Sequence, residues 1–266
     1  MNQKNRIASG RYLALALCLL PALPGCSRSN DDGSLMVLHY YQKDDMKSVD
    51  PANAYDSISL EILPNIYETL YQYDYLAEGY RLVPLLAADL PKISANHLDY
   101  TIPIRRDVKF HQGRELKAQD FIYAWKRLAL PSLQSSGWWL LDGKIVGINA
   151  FHERLLSATK SDIGKVMDEK VDGMYASDDY TIKIRLTKPY PQLMYALAMT
   201  FTAPMAKEWV EKHSDEKGNV LDGAMGTGAF ALTQWSRGST IILDRSPDTI
   251  RNSIRPRVRS SSAPAD

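Results

Sequence analysis

The sequence of 266 residues contains only two cysteines, Cys18 and Cys26. A disulfide framework or a cysteine-ligated zinc site is therefore not expected, because both need several cysteines at characteristic spacing. Basic and acidic residues nearly balance, and the formal net charge is +1. A near-neutral chain has no strong field to attract nucleic acid or an anionic membrane, and we expect no nucleic-acid partner.

Familiar catalytic spacings are also missing. The sequence contains no HExxH, CxxC or GxSxG pattern, and its five histidines are scattered, at His39, His97, His111, His152 and His213. The glycine-rich stretch 223–228 has no lysine for a phosphate-binding loop, so we interpret it as a turn entering a strand. The sequence thus predicts no catalytic residue, no metal site and no cofactor, although a triad formed by distant residues stays open.

The amino terminus has the pattern of an export signal. Lys4, Arg6 and Arg11 precede an apolar run over residues 12–20, which is too short to span a bilayer. We therefore predict a signal peptide at residues 1–25. The polar stretch 26–34 that follows cannot bury apolar area, and it is expected to be a tether.

The predicted leader ends in Leu23-Pro24-Gly25-Cys26, which resembles the bacterial lipobox, with Pro24 where Ala or Ser is usual. The resemblance implies that Cys26 receives a diacylglycerol and holds the protein on a membrane by its acyl chains. The alternative is an ordinary secretory leader followed by an unrelated cysteine. At the other end, residues 246–266 are rich in arginine, serine and proline, and they are expected to be a disordered basic tail.

Hydrophobic periodicity predicts a mixture of strands and helices. Apolar residues alternate with polar ones over residues 98–105 and 180–186, which indicates strands, and Pro103 favours an edge position for the first. We also predict a strand at 35–41 and helices at 58–70, 118–128, 192–200 and 207–212. The lack of regular alternation favours an α/β class of the mixed α+β kind over a doubly wound nucleotide fold.

Residues 100–127 carry the pattern that identifies a family. They resemble the hallmark of the family 5 extracellular solute-binding proteins, which are the oligopeptide, dipeptide and nickel binders of ABC importers. The matching residues are Tyr100, Arg105, Val108, Lys109, Phe110, His111, Gly113, Ala118, Asp120, Tyr123, Trp125 and Arg127. Blocks at 48–51 with 65–68, 178–181 with 189–191, and 226–230 with Trp235 fit in order and spacing. The resemblance is greatest to the oligopeptide-binding branch.

Two departures concern residue type and length. Gln112 stands where the family prefers Asp, and Lys117 stands where a Thr usually caps the helix, which would weaken that helix start. Family members are roughly twice as long, so the chain is expected to be cut short before the second lobe. The resemblance implies a periplasmic-binding-protein-like fold with a first lobe at 35–67 and 187–245 and an inserted domain at 68–186.

The function implied by the resemblance is capture of extended peptides for import. The partners would be a peptide and the membrane permease subunits of an ABC importer, and the protein would be a monomer in the periplasm or on the extracytoplasmic face of a membrane. Without a second lobe, binding is expected to be weak or absent. The ligand-facing residues would be Tyr55, Asp56 and Ser57 in one loop, Trp138 in a second, and Thr227 and Gly228 in a turn. The alternative is an envelope lipoprotein with chaperone-like or hydrolytic activity.

Overall fold

A computed structural model describes residues 37–247 of the chain. The predicted signal peptide, Cys26, the tether and nearly all of the basic tail lie outside the described residues. Residues from Gln42 onward form one compact unit, and residues 37–41 belong to a separate one. Within residues 37–247 no helix is both long and apolar enough to cross a membrane. The division into a first lobe and an inserted domain stays a prediction.

Helices and strands follow one another without a repeating order, which confirms the mixed α/β class. The helices are α1 (Ser57–Ile66), α2 (Ala118–Leu128), α3 (Ile148–Ser157), α4 (Ile163–Asp168), α5 (Leu193–Ala196) and α6 (Lys207–His213). The strands are β1 (Tyr71–Tyr73), β2 (Leu82–Pro84), β3 (Lys92–Ile93), β4 (Asp99–Pro103), β5 (Met174–Asp178), β6 (Thr181–Arg185), β7 (Phe230–Ser236) and β8 (Thr240–Arg245). Short 3-10 turns lie at Pro131–Leu133, Trp138–Leu140 and Thr200–Thr202.

The largest sheet in the described part has four antiparallel strands in the order β3-β4-β6-β5. Ile102 pairs with Ile182 and Tyr100 with Ile184, and these four side chains are buried while their neighbours along the strands are more exposed. The alternation read from the sequence therefore predicted both strands and their buried faces correctly. β1 with β2, and β7 with β8, form two separate hairpins.

The edge position predicted for β4 is wrong, because β4 lies between β3 and β6. Pro103 is tolerated for a local reason. Ile104 donates its backbone N–H to Tyr180 on the β6 side, so the neighbouring nitrogen of Pro103 faces the β3 side. There β3 has already ended, since its last pairing on that side is Lys92 with Thr101. No ladder hydrogen bond is lost, and the carbonyl of Pro103 accepts from Ala88.

The strand predicted at 35–41 is not found in its described part. Residues 37–41 have no regular secondary structure and are almost all exposed, with Leu38 at 89%. An apolar stretch becomes a strand only when a neighbour satisfies its backbone groups, and no described strand pairs with these residues. The apolar pattern of this segment was not sufficient to predict its structure.

The predicted helices are confirmed in part. α2 covers 118–128 as expected, whereas α1 ends at Ile66, four residues early, because Tyr67 adopts an extended backbone. The predicted helix at 192–200 is reduced to α5 and a following 3-10 turn. At the start of α2, Lys117 offers no side-chain cap, but the Asp120 carboxylate accepts from the Lys117 N–H at 2.8 Å and satisfies that group.

A buried ion pair joins distant parts of the chain. The Arg127 guanidinium of α2 donates to both carboxylate oxygens of Asp50, at 3.0 and 2.6 Å, and both side chains are almost fully buried. Asp50 also accepts from the backbone N–H groups of Ala52 and Val220, each at 3.0 Å. Arg127 further donates to the Gly218 carbonyl at 2.6 Å. The buried charges are therefore paired and hydrogen-bonded, which is the condition for tolerating them.

We predict that Asp50→Ala lowers the free energy of unfolding by about 3–5 kcal/mol, because it leaves Arg127 buried without its counter-charge. Urea denaturation followed by circular dichroism measures the change. The matched control is Lys160→Ala, which breaks an ion pair with Glu216 whose side chains are 75% and 86% exposed. The control should change stability by less than about 1 kcal/mol. Equal unfolding midpoints for the two variants would contradict this role of Asp50.

Candidate functional site

The loop that precedes α1 is held from both ends. The Asp50 carbonyl accepts from the N–H groups of Asn53 and Ala54, both at 3.0 Å. At its far end the Asp56 carboxylate accepts from the Ser59 N–H at 2.9 Å and caps α1. This accounts for two of the three predicted ligand-facing residues of the loop. Asp56 is the N-cap of α1, and Ser57 is the exposed first residue of that helix.

A second loop, at residues 133–139, is bonded directly to the first. The Ser135 hydroxyl donates to the Ala52 carbonyl at 2.6 Å, and the Asn53 amide donates to the Leu133 carbonyl at 3.2 Å. The predicted residue Trp138 is half-buried and stacks on His152, with ring centroids 4.9 Å apart. The structure therefore brings the Tyr55 loop and the Trp138 loop together, as one surface built from two distant segments.

Tyr55 forms the exposed part of an aromatic platform, which we define as Tyr55, Phe201 and Gly137. The Tyr55 ring is 65% exposed and stacks on Phe201, with centroids 6.2 Å apart and an interplanar angle of 27°. Phe201 is only 3% exposed and lies flat against Gly137, where a Cβ atom would come within 2.8 Å of the ring. Gly137 is needed because it has no side chain, and the backing of Tyr55 is therefore tightly packed.

Phe201 was not recognised as a functional residue from the sequence. It lies in the 3-10 turn Thr200–Thr202, which has no helical or strand periodicity to mark its buried face. The family resemblance had already indicated Tyr55 as a ligand-facing residue, but only the fold shows which ring supports it.

The turn at Thr227 and Gly228 is buried at the opposite end of α1. The Gly228 N–H donates to the Ile66 carbonyl at 2.8 Å, and a Cβ on Gly228 would lie 2.4 Å from the Asn65 carbonyl oxygen. His111 contacts the carbonyl oxygens on both sides of Thr227: its backbone N–H donates to Gly226, and its ring Nε2 bonds to Gly228, each at 3.0 Å. These two predicted residues are thus separated from the platform by the length of α1, about 15 Å for ten residues.

Glu68 adds a titratable group beside this turn. Burial raises the pKa of the Glu68 carboxyl to about 7, although a hydrogen bond from Thr227 and the positive charge of Arg105 act in the opposite direction. Burial also lowers the pKa of the neighbouring His111 imidazole. The turn therefore carries groups whose charge is set by desolvation.

Histidine side chains do not form a catalytic pair in the described part of the chain. His111 and His152 bind backbone carbonyl oxygens, and His213 binds the Asp222 carboxylate at 3.1 Å. A hydrolase needs a nucleophile within hydrogen-bond reach of its base, and no hydroxyl or thiol bonds to these three rings. Residues 37–247 also contain no group of three or more side chains that could hold a metal ion.

Comparison with protein families identifies the chain. Residues 81–253, about two thirds of the chain, match the model described as "Bacterial extracellular solute-binding proteins, family 5 Middle". The chain belongs to family 5 of the bacterial extracellular solute-binding proteins, a family of binding proteins and not of enzymes. This confirms the resemblance drawn from residues 100–127.

Curated relatives are consistent with this assignment. The chain is 30% identical to the periplasmic oligopeptide-binding protein OppA of Escherichia coli over 152 residues, which cover 56% of the chain and 25% of the relative. It is 27% identical to the dipeptide-binding protein DppE of Bacillus subtilis over 249 residues, covering 88% and 42%. The chain therefore spans less than half the length of these relatives.

Solved structures share the fold. The unliganded open form of the E. coli murein tripeptide-binding protein MppA superposes with a TM-score of 0.64 at 27% identity. The pheromone receptor PrgZ, described with its mode of peptide binding, gives 0.63 at 26%. Each match covers 79% of this chain and 38% or 39% of the other. The described fold corresponds to one part of those larger binding proteins.

We predict that Gly228→Ala destabilises the protein by at least about 2 kcal/mol, because the added methyl group would overlap the Asn65 and Ile66 carbonyl oxygens. Thermal unfolding measures the effect. The control is Gly164→Ala in α4, where no atom lies within 4 Å of the added Cβ and alanine favours the helix. A Gly228→Ala protein as stable as the control would show that the turn packs less tightly.

A second prediction concerns pH. Folded Glu68 holds its proton up to about pH 7, whereas the unfolded chain releases it near 4.5, so stability should fall as the pH rises through this window. Glu68→Gln removes the dependence. The free energy of unfolding of the variant relative to the original protein should therefore increase between pH 4 and pH 8. This increase should not exceed about 3 kcal/mol, because Glu68 is partly exposed to solvent. Parallel stability curves would refute the raised pKa.

Proposed function

We propose that this chain supplies one wall of the peptide-binding cleft of a solute receptor for an ABC importer. The aromatic platform carries the proposal. It presents an exposed ring on a tightly packed backing, at a place where two loops are bonded together. Such a surface suits a ligand that is partly apolar and partly wet, as a peptide is.

Rigidity of the platform favours a binding role over a purely structural one. Phe201 and Gly137 are already packed behind Tyr55, so this backing needs no rearrangement when a ligand covers the ring, which improves affinity. Asp56 does not add an accessible charge in the same way, since its carboxylate caps α1. The platform would therefore contact peptide side chains, and the peptide main chain would be gripped by other parts of the cleft.

A second wall is part of the proposal. The chain covers 25% to 42% of the relatives described as oligopeptide- and dipeptide-binding proteins, and Tyr55 is 65% exposed in the described unit. We therefore infer that residues 35–67 and 187–245 act as a first lobe with an insertion at 68–186. A peptide would be enclosed only when another lobe closes over Tyr55, and the chain alone would bind it weakly or not at all.

The proposed location and partners come from the relatives in the family. Relatives are described as periplasmic, so we propose an extracytoplasmic protein anchored through Cys26 that delivers peptide to permease subunits. Hydrolytic activity has no support in the described histidine contacts. The chaperone-like alternative would need exposed apolar side chains such as Leu76, which is 75% exposed, but no groove or partner distinguishes it.

Calorimetric titration with a pool of two- to five-residue peptides tests the proposal. We expect no saturable binding tighter than about 1 mM by the chain alone, because one wall of the proposed cleft does not enclose a peptide. Fusion after Arg245 to the remaining part of the MppA relative should restore binding, provided that circular dichroism shows one cooperative unfolding transition. Tight binding by the chain alone would contradict the need for a second wall.

Variants of the fusion locate the contact. Tyr55→Ala should weaken peptide binding at least fivefold, whereas Tyr175→Ala, which removes a 43% exposed tyrosine on β5, should not. Equal affinities of the two variants would exclude the aromatic platform as a peptide contact.

A further inference from the structure

Three exposed tyrosines meet on the surface away from any assigned role. Tyr73 lies in the middle, with the Tyr80 ring centroid 6.2 Å away at 76° and the Tyr195 ring centroid 6.2 Å away at 30°. The three residues are 47%, 82% and 42% exposed. We call them the tyrosine cluster. Rings at nearly a right angle leave a corner in which a small group can contact two faces at once.

The β1–β2 hairpin fixes two of the three rings. Tyr73 pairs with Leu82, and Tyr80 lies in the connecting loop two residues before Leu82, where its ring contacts that of Tyr73. The connecting loop is closed at its base, because the Asp74 N–H donates to the Arg81 carbonyl at 2.8 Å and the Asp74 carboxylate pairs with the Arg81 guanidinium. Gly79 allows the turn with a φ of 80°.

The loop that carries Tyr80 is negative on balance, since it contains Asp74 and Glu78 against Arg81. Arg81 is engaged by Asp74, whereas Glu78 in the same loop is exposed and has no hydrogen bond or ion pair within residues 37–247. Aromatic faces also carry negative electrostatic potential and attract cations. In the described part of the chain, Lys or Arg side chains lie over the rings of Phe110, Phe151, Tyr180, Tyr190 and Trp235, but over none of the tyrosine cluster. Among the described residues, no Lys or Arg side chain therefore occupies a ring face of the cluster.

We propose that the tyrosine cluster, with Glu78, binds an organic ammonium group. Two ring faces near a right angle and one unpaired carboxylate offer cation–π and ionic attraction together, which is the chemistry that recognises quaternary ammonium ligands. An apolar partner would gain nothing from Glu78. The site is open to solvent, so its affinity for a small cation is in the millimolar range. This inference does not depend on peptide binding at the aromatic platform.

Saturation-transfer NMR with choline, using the full chain, tests the site. We expect transfer to the choline methyl groups and a saturable titration. The neutral isostere 3,3-dimethylbutan-1-ol should bind at least fivefold more weakly. Ethanolamine, which has the same charge as choline but a primary ammonium, distinguishes the source: binding tighter than choline would identify a primary ammonium, as in a peptide, and weaker binding a quaternary one. Equal binding of the neutral isostere, or no binding of either ammonium compound, would overturn the proposal.

Variants separate the site from the fold. Tyr80→Ala and Glu78→Gln change exposed side chains and should leave the unfolding temperature unchanged while weakening choline binding at least threefold. Tyr175→Ala on β5 is the matched control, and it should bind choline like the original protein. Loss of binding in the control, or unchanged binding in Tyr80→Ala, would show that choline does not bind at the tyrosine cluster.

Discussion

The pairing of Asp50 with Arg127 is the interaction on which most of the described structure depends. One carboxylate receives the α2 guanidinium, the N–H that starts the Tyr55 loop, and the N–H of Val220. The buried arginine extends the connection to Gly218. A hydrophobic pair of similar volume could fill the same space, but it could not fix the backbone of two loops at once. The placement of the proposed binding surface therefore depends on a buried ion pair.

α1 connects the aromatic platform at its first turn with the Gly228 turn at its last. Its first turn is capped by Asp56 beside the aromatic platform, and its last carbonyls receive the Gly228 turn, against which no side chain larger than hydrogen fits. The two groups of predicted ligand residues are therefore ends of one helix and not one surface. The glycine turn is connected to the platform through α1 and also through Val220, whose N–H binds the Asp50 carboxylate beside the Tyr55 loop.

Local pattern was a good guide wherever the structure is set by neighbours in sequence. Alternation predicted β4 and β6, and apolar spacing predicted α2, because each buries one face against the same core. The sequence pattern did not predict that Pro103 lies in an inner strand, because that depends on where the neighbouring strand β3 ends. It also did not predict the lack of regular structure at residues 37–41, because a strand forms only where a partner strand is present. The sequence predicted Tyr55 and Trp138 as ligand-facing residues. It did not predict the supporting Phe201, which comes from a turn without periodicity.

The sequence separation between Asp50 and Val220 has a consequence for synthesis of the chain on the ribosome. Its bond to Val220 spans 170 residues, and a ribosome adding about 5–20 residues each second needs roughly 10 to 30 seconds to make that stretch. During this time the Tyr55 loop exists as polypeptide without the contact that closes it. The loop that carries Tyr55 is therefore made long before Val220, and it cannot reach its final arrangement until the chain has been extended past that residue.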